Sequence, residues 1–311
     1  MQPEEWFEER CWKPIPEQAK ALSEIVKERG VRLGVVLPCR DDASTLGKHL
    51  LALKHGWPGG SSPWCEISVV DLGSLDSTLE IARSQDARIL QGEERIIPGE
   101  LPLEGIALVR AIEQLGCEIV LVAPAGLRRI DWERFSGLVL SLLEHSQAVV
   151  AIGYESEPSN LSSLAIRPLL CALEENLSLV IDPACPALAI RCAGIKQIKL
   201  AGTMGYEPAL LHEVHQAFGL EGIIQVPIGK LFWSEGERRF QEDVSFRSIL
   251  ALLEAVRGHQ AYHTKDEFGH LFPTMKVAAD GAISRKSTLQ LFPWLGPVEQ
   301  GSTTARSSRS S

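Results

Sequence analysis

The chain has 311 residues, of which 45% are hydrophobic and 23% charged, with 31 Lys and Arg against 40 Asp and Glu. Those proportions exclude an intrinsically disordered chain and suit one large α/β unit or two smaller ones. The formal charge of −9 argues against nucleic acid or an anionic membrane surface as a partner.

Residues 1–15 carry Trp6, Trp12 and two prolines and read as an irregular lead-in. The opening MQPEEWFEER is acidic and lacks the basic start and apolar core of a signal peptide. No run approaches 18 apolar residues, so a soluble, cytoplasmic chain without a membrane partner is expected. Pro16 to Gly30 predicts a helix, with Pro at its start and Gly past its end. Val31 to Pro38 is a β-branched run closed by Pro, the mark of a buried strand. Residues 43–55 are amphipathic and helical, and Glu66 to Asp71 is a second strand. A helix over 77–85 follows, with Asp76 as its N-cap. Then come a short strand over 87–90, a helix over 103–116 and a fourth strand over 118–123. Four strand–helix alternations predict right-handed crossovers and a mainly parallel sheet covered on both faces. Further helices are predicted over 129–145, 161–175, 207–218 and 242–258, and strands over 147–154 and 223–227. Residues 301–311, GSTTARSSRSS, have too little apolar surface to order themselves. Seven scattered cysteines with no CxxC pair point to reduced, buried thiols rather than a zinc site or a disulfide framework.

Ligands of open α/β sheets bind at the carboxyl ends of the strands. Three such ends are readable: Leu37 to Thr45, Asp71 to Thr78, and Ala123 to Gly126. An Asp closing a strand ahead of Gly-Ser suits a nucleoside, because a carboxylate accepts ribose or base hydrogen bonds. The same residues also suit a plain turn at Gly73 and a helix cap at Asp76.

The order Val35-Val-Leu-Pro-x-x-Asp-Asp-x-x-Thr-Leu46, then Val69-Val-Asp-x-Gly-Ser-x-Asp-x-Thr78, resembles family 2 type glycosyltransferases of the GT-A fold. Arg167-Pro-Leu-Leu170, Gly205-Tyr-Glu-Pro-Ala-Leu-Leu211 and Ile224-Gln-Val-Pro-Ile-Gly229 follow in the order seen in glucosyl-3-phosphoglycerate synthases and their mannosyl counterparts. The resemblance covers about residues 31–257. It implies transfer of a sugar, with retention, from a nucleotide diphosphate sugar to the hydroxyl of 3-phosphoglycerate, using Mg²⁺ or Mn²⁺. Carried over, Pro38 and Asp42 fall where the family holds the nucleobase. Asp71, Gly73 and Ser74 fall on the nucleoside loop, and Glu207 on the acceptor side, as the candidate catalytic residue. A homodimer is consistent with the resemblance.

The departures all concern charge. The metal-binding Asp-x-Asp is replaced by Pro124-Ala-Gly126, and the second metal ligand, a His, by Trp233. A hard divalent cation needs oxygen ligands, and this loop supplies no side-chain oxygen. No metal site is therefore assigned. The glycine-flanked Lys beside the sugar nucleotide becomes Glu104, and the Arg expected on the acceptor phosphate becomes Asn160. Like charges a few Å apart cost on the order of 1–4 kcal/mol at dielectrics between water and a protein surface. Arg128 and Arg129 read as helix-start surface charge, and Arg40 as either a phosphate contact or an ion pair with its aspartate neighbours.

Other polar features read as structural. His212 and His215, one turn apart, suggest an exposed helix face. His259, His263 and His270 cluster beyond the last long helix, and Trp64 and Trp294 read as packing. The expected organisation is one α/β unit: an extension over 1–30, a nucleotide-sugar half over 31–126, an acceptor half over 127–258, a C-terminal segment over 259–300 and the tail. The expected function is that of a glycosyltransferase-like protein with altered, weak or lost transfer. The alternatives are a non-catalytic binding or regulatory subunit, and an active metal-independent transferase.

Overall fold

The structure, a computed structural model, describes residues 3–13, 16–57, 64–91, 104–202, 205–234, 241–257, 274–277 and 283–286. The residues from 259 onward that hold the His cluster and Trp294, and the whole tail over 301–311, lie outside them or, over 274–277 and 283–286, are described only as paired strands.

Three short helices precede the first strand: α1 (Pro3–Arg10), α2 (Pro16–Lys20) and α3 (Leu22–Glu28). Two expectations are corrected here. The lead-in is helical, because Trp6 is completely buried and its indole N–H donates to the Leu220 carbonyl at 2.8 Å. The predicted single helix over 16–30 is broken at Ala21, whose φ of −89° and ψ of 4° interrupt the winding.

Strand β1 (Leu33–Cys39) is buried along its entire length, as an apolar run in the middle of a sheet must be. Helix α4 (Leu46–Gly56), strand β2 (Cys65–Asp71), helix α5 (Thr78–Ser84) and strand β3 (Arg88–Gln91) follow, then α6 (Glu104–Leu115) and β4 (Ile119–Val122). Strands β1 to β4 run parallel, in the order β3-β2-β1-β4. Asp131 caps α7 (Trp132–Glu144) by accepting from the Arg134 amide at 3.2 Å, so the helix starts later than predicted. Strand β5 (Val150–Tyr154) leads to a wide turn over Ser162–Ile166 and helix α8 (Arg167–Leu173). The Arg167 amide bonds to the Ser162 carbonyl five residues back. Pro168 has no amide to continue an ordinary ladder, which favours this widening.

A strand that the local pattern did not announce, β6 (Leu188–Arg191), inserts between β4 and β5, antiparallel to both. Its four residues carry no periodicity of their own, and only the pairing on both sides makes them a strand. Helices α9 (Cys192–Ile195) and α10 (Glu207–Phe218), strand β7 (Ile223–Pro227) and helix α11 (Gln241–Arg257) complete the unit. The full order is β3-β2-β1-β4-β6-β5-β7. The Trp12 amide bonds to the Gln225 carbonyl at 2.9 Å, so the N-terminal segment covers the exposed edge of β7. Strands β8 (Thr274–Val277) and β9 (Ile283–Lys286) form a separate antiparallel pair. Among the described residues no helix is long and apolar enough to cross a membrane.

All seven cysteines are free. Burial lifts the thiols of Cys65 and Cys192 to about 12 and that of Cys117 to about 11, which leaves them inert at neutral pH.

Candidate functional site

The carboxyl ends of β1, β2, β4, β5 and β7 point to the same side of the sheet. Because β6 runs the other way, the loop that enters it emerges there too. These loops, with the first turns of α6 and α10, enclose a cavity of about 700 Å³, a size suited to a small organic ligand.

Several candidate residues meet on its wall: Pro38 from the end of β1, Glu104 at the start of α6, Pro124 and Gly126 after β4, Asn160, and Glu207 at the start of α10. Trp233 joins them from the far side. An antiparallel bridge pairs it with Leu127, and the Ser234 amide bonds to the Gly126 carbonyl at 2.9 Å, which fixes the indole beside the loop after β4.

Asp42, Asp71, Gly73 and Ser74 lie in the neighbouring loops rather than on the cavity wall. Their polar groups stitch those loops together. Asp71 accepts from the amides of Gly73 (3.3 Å) and Ser74 (3.2 Å). Gly73 makes the turn with φ at 89°, a backbone that side chains resist. Asp41 accepts from the amide of Leu75 at 2.6 Å, and buried Asp42 accepts from that of Arg40 at 2.9 Å. The expected cap is corrected by one residue: Ser77 is the N-cap of α5, and Asp76 ahead of it accepts from the Thr78 amide at 2.9 Å and the Ala43 amide at 3.1 Å.

The inner end of the cavity is acidic. Glu207 is only 5% exposed. Burial and the charge of Glu104 hold its carboxyl well above the usual range. Burial lifts Glu104 itself to about 7. Tyr206 lies close to both, and its buried hydroxyl is also raised. Burial lifts Asp182 to about 6 even though it accepts a hydrogen bond from the Ser162 hydroxyl. Glu155, raised mainly by burial, accepts from the Leu231 amide at 2.8 Å. Asp182 and Glu155 were not among the candidates. The signal for Asp182 was a carboxylate closing the apolar run Leu179-Val-Ile181 ahead of a proline.

Backbone contact brings Glu104 and Glu207 together. A side chain at Gly105 would collide with the Ala201 carbonyl oxygen, so only glycine lets α6 start this close to the segment entering α10. The Ile106 amide bonds to the Gly202 carbonyl at 3.3 Å in the same contact.

Arg128 and Arg129 are exposed and lie away from the cavity wall, while Arg40 lines it. The expectation of an exposed His212–His215 face is corrected. His212 is 4% exposed, and its Nδ1 stands 3.3 Å from Glu174, because the polar side of α10 packs against neighbouring elements instead of facing solvent.

The residues at this end of the sheet do not fit a divalent metal. Pro124, Gly126 and Trp233 offer no side-chain oxygen. Among the described residues, no three His, Cys, Asp or Glu side chains converge at metal-binding spacing.

The architecture is a GT-A fold, a Rossmann-like mixed sheet flanked by helices. Within that class the chain is related to glucosyl-3-phosphoglycerate synthases. It is 24% identical over 226 residues to the enzyme of that name from Petrotoga mobilis, a match covering 68% of this chain and 69% of the relative. The Mycolicibacterium paratuberculosis counterpart is 26% identical over 242 residues, covering 72% and 71%. The crystal structure of the Mycobacterium tuberculosis synthase with Mn²⁺ and UDP-glucose superposes with a TM-score of 0.72. That match has 22% identity and covers 89% of this chain and 93% of the other. The same synthase with phosphoglyceric acid gives 0.67 at 24% identity, covering 78% and 85%. No family model matches the chain.

Proposed function

We propose that this chain is a glycosyltransferase-like protein with a nucleotide-sugar cleft, whose hexosyl transfer is altered, weak or lost. The observation that carries this reading is the wall formed by Pro124, Gly126 and Trp233 beside the cavity. A leaving diphosphate needs positive charge, and transferases supply it with a metal or with cations aimed at the departing oxygens. Here the metal positions carry no ligand atoms, and Glu104 adds negative charge to the same space. Arg40 and Lys230 are the cations on the described wall, and Lys230 is ion-paired with Glu157 at 3.7 Å.

Under this reading Pro38, Asp42 and the Asp71-Leu-Gly-Ser74 loop hold the nucleoside, and Glu207 stands on the acceptor side. Asp71 positions the loop through the Gly73 and Ser74 amides as well as offering its remaining lone pairs to the nucleoside. That double role also favours a second reading, a non-catalytic binding subunit in which the loops persist as scaffold.

Calorimetric titration with UDP-glucose and GDP-glucose, with and without Mg²⁺ or Mn²⁺, tests the proposal. Metal-independent binding is the expected outcome, and Asp71→Ala should abolish it. Binding that requires the metal would overturn the assignment of the wall. No binding to either nucleotide sugar favours the subunit reading.

A further inference from the structure

The inner end of the cavity holds charge that its described neighbours do not balance. Five carboxyl side chains line the cavity, those of Glu104, Glu155, Glu157, Asp182 and Glu207, against the two cations Arg40 and Lys230. Lys230 is taken by Glu157 at the exposed rim, and Arg167 acts on Asp182 from nearby. Deeper in, the one hydrogen bond to the Glu207 carboxyl among the described residues comes from its own backbone amide, and the charged groups acting on it are Glu104 and Asp182, both acidic. The glycine contact at Ala201 keeps α6 against the approach to α10, so the two glutamates cannot relax by drawing the helices apart.

Carboxyl groups confined this way are relieved either by keeping a proton or by receiving a cation. An anionic ligand would add a further like charge in a low-dielectric space. An ammonium group supplies the missing countercharge and donates hydrogen bonds to carboxyls that line this end of the cavity. The cavity is large enough for a hexose, and Trp233 and Pro124 give it an apolar wall of the kind that sugar rings pack against.

We propose that the inner end of the cavity binds the protonated amine of an amino sugar, with Glu207, Glu104 and Asp182 as its countercharge. This rests on reading the cavity as the acceptor side of a sugar-transfer cleft. Binding expels to solvent the proton that the glutamates hold in the empty cavity, so uptake of the amine is linked to proton release.

Glucose and glucosamine differ at one position, a hydroxyl against an ammonium, and they are the probes. Calorimetry at pH 6.5 in two buffers of different ionisation heat measures affinity and protons together. The expected result is glucosamine binding at least tenfold tighter than glucose, with release of up to one proton. The preference for glucosamine over glucose should shrink about tenfold in Glu104→Gln. A wild-type series from pH 5 to 7 gives a second readout that does not depend on a variant folding, and glucosamine affinity should rise across it. Equal affinity for the two sugars, tighter binding of 3-phosphoglycerate than of either, or no proton release overturns the proposal. UDP-glucose titrated in parallel separates the two readings. If it binds while the amine preference is absent, only the amine site is wrong. If glucosamine binds as expected and UDP-glucose does not, only the transferase cleft is wrong. If neither ligand binds, both are wrong.

Discussion

Glu104, at the first residue of α6, raises the proton affinity of Glu207, at the first residue of α10. Both residues sit at helix N-termini, where the backbone favours a negative carboxylate. Burial overrides that preference for both, and for Glu207 the neighbouring charge adds to it.

The stability consequence has a definite sign. A carboxyl that binds its proton more tightly in the folded chain than in the unfolded one makes folding most favourable at low pH. Its contribution is lost as the pH rises from the usual glutamate value toward about 7, where Glu104 ionises. In Glu104→Gln no charge develops at that position. The variant should therefore be more stable than wild type at pH 8, by on the order of 1–3 kcal/mol, and no more stable at pH 5. Urea midpoints at pH 5, 6.5 and 8 check this. A difference between the two proteins that does not change with pH would remove the coupled carboxyl pair.

Gly105 tests the contact that creates the pair. In Gly105→Ala the new methyl meets the Ala201 carbonyl, which is backbone and cannot swing away. The cost should be about 1–3 kcal/mol, as for other overpacked sites. Gly47→Ala in α4 is the control. Its methyl would stand 3.3 Å from Ile81 Cγ2, the end of a side chain, and the gain in helix propensity of roughly 1 kcal/mol offsets that crowding. Chemical denaturation should rank wild type and Gly47→Ala together and Gly105→Ala well below. Equal losses at the two glycines would mean that the α6 contact is not tight.

What the sequence made legible follows from how local each signal is. Strands β1, β2 and β4 announce themselves because a strand buried on both faces is a continuous apolar run, readable without knowing its partners. Strand β6 does not, since its four residues become a strand only between β4 and β5. Helix α1 is acidic and short, and it is held by contacts distant in sequence, among them the Trp6 indole bonded to the Leu220 carbonyl. The same limit applies to the site. Pro124, Gly126 and Trp233 stood out as positions where carboxylates and a His were expected. Glu155 is unremarkable in sequence, Asp182 is marked only by closing an apolar run ahead of a proline, and the two become neighbours only through the reversal at β6. His212 read as surface because its helix has a polar side, and that side turned out to face Glu174.

Rebuilding the missing ligands tests whether the loop after β4 is the counterpart of the metal loop. A chain carrying Pro124→Asp, Gly126→Asp and Trp233→His gains two hard oxygen ligands and an imidazole around one point, since the bridge between Leu127 and Trp233 holds the two segments together. Mn²⁺ should bind this variant with at least tenfold greater affinity than wild type, measured by electron paramagnetic resonance of the free ion. Asp at only one of these positions should gain little. If the triple variant folds and its affinity matches wild type, the two segments do not correspond to the metal-binding ones.

Gln225 ties the edge strand β7 to the chain ahead of β6. The residue is completely buried in β7. Its side-chain oxygen accepts from the Ile181 amide at 2.6 Å, and its side-chain nitrogen donates to the Leu179 carbonyl at 3.3 Å. Those bonds also fix the chain just ahead of Asp182, so the edge of the sheet and the acidic end of the cavity share a support. Gln225→Leu keeps the volume but leaves a half-buried amide and a carbonyl unpaired, at about 1–3 kcal/mol for each group left without a partner. A loss of about 2–4 kcal/mol in urea unfolding is expected, along with faster hydrogen exchange at the Ile181 amide. Gln225→Glu tests the same geometry differently, because it keeps the acceptor for Ile181 but buries a charge, which should make its destabilisation grow with pH. If Gln225→Leu unfolds at the wild-type midpoint and its Ile181 amide stays protected, the segment ahead of Asp182 is held by something other than this side chain.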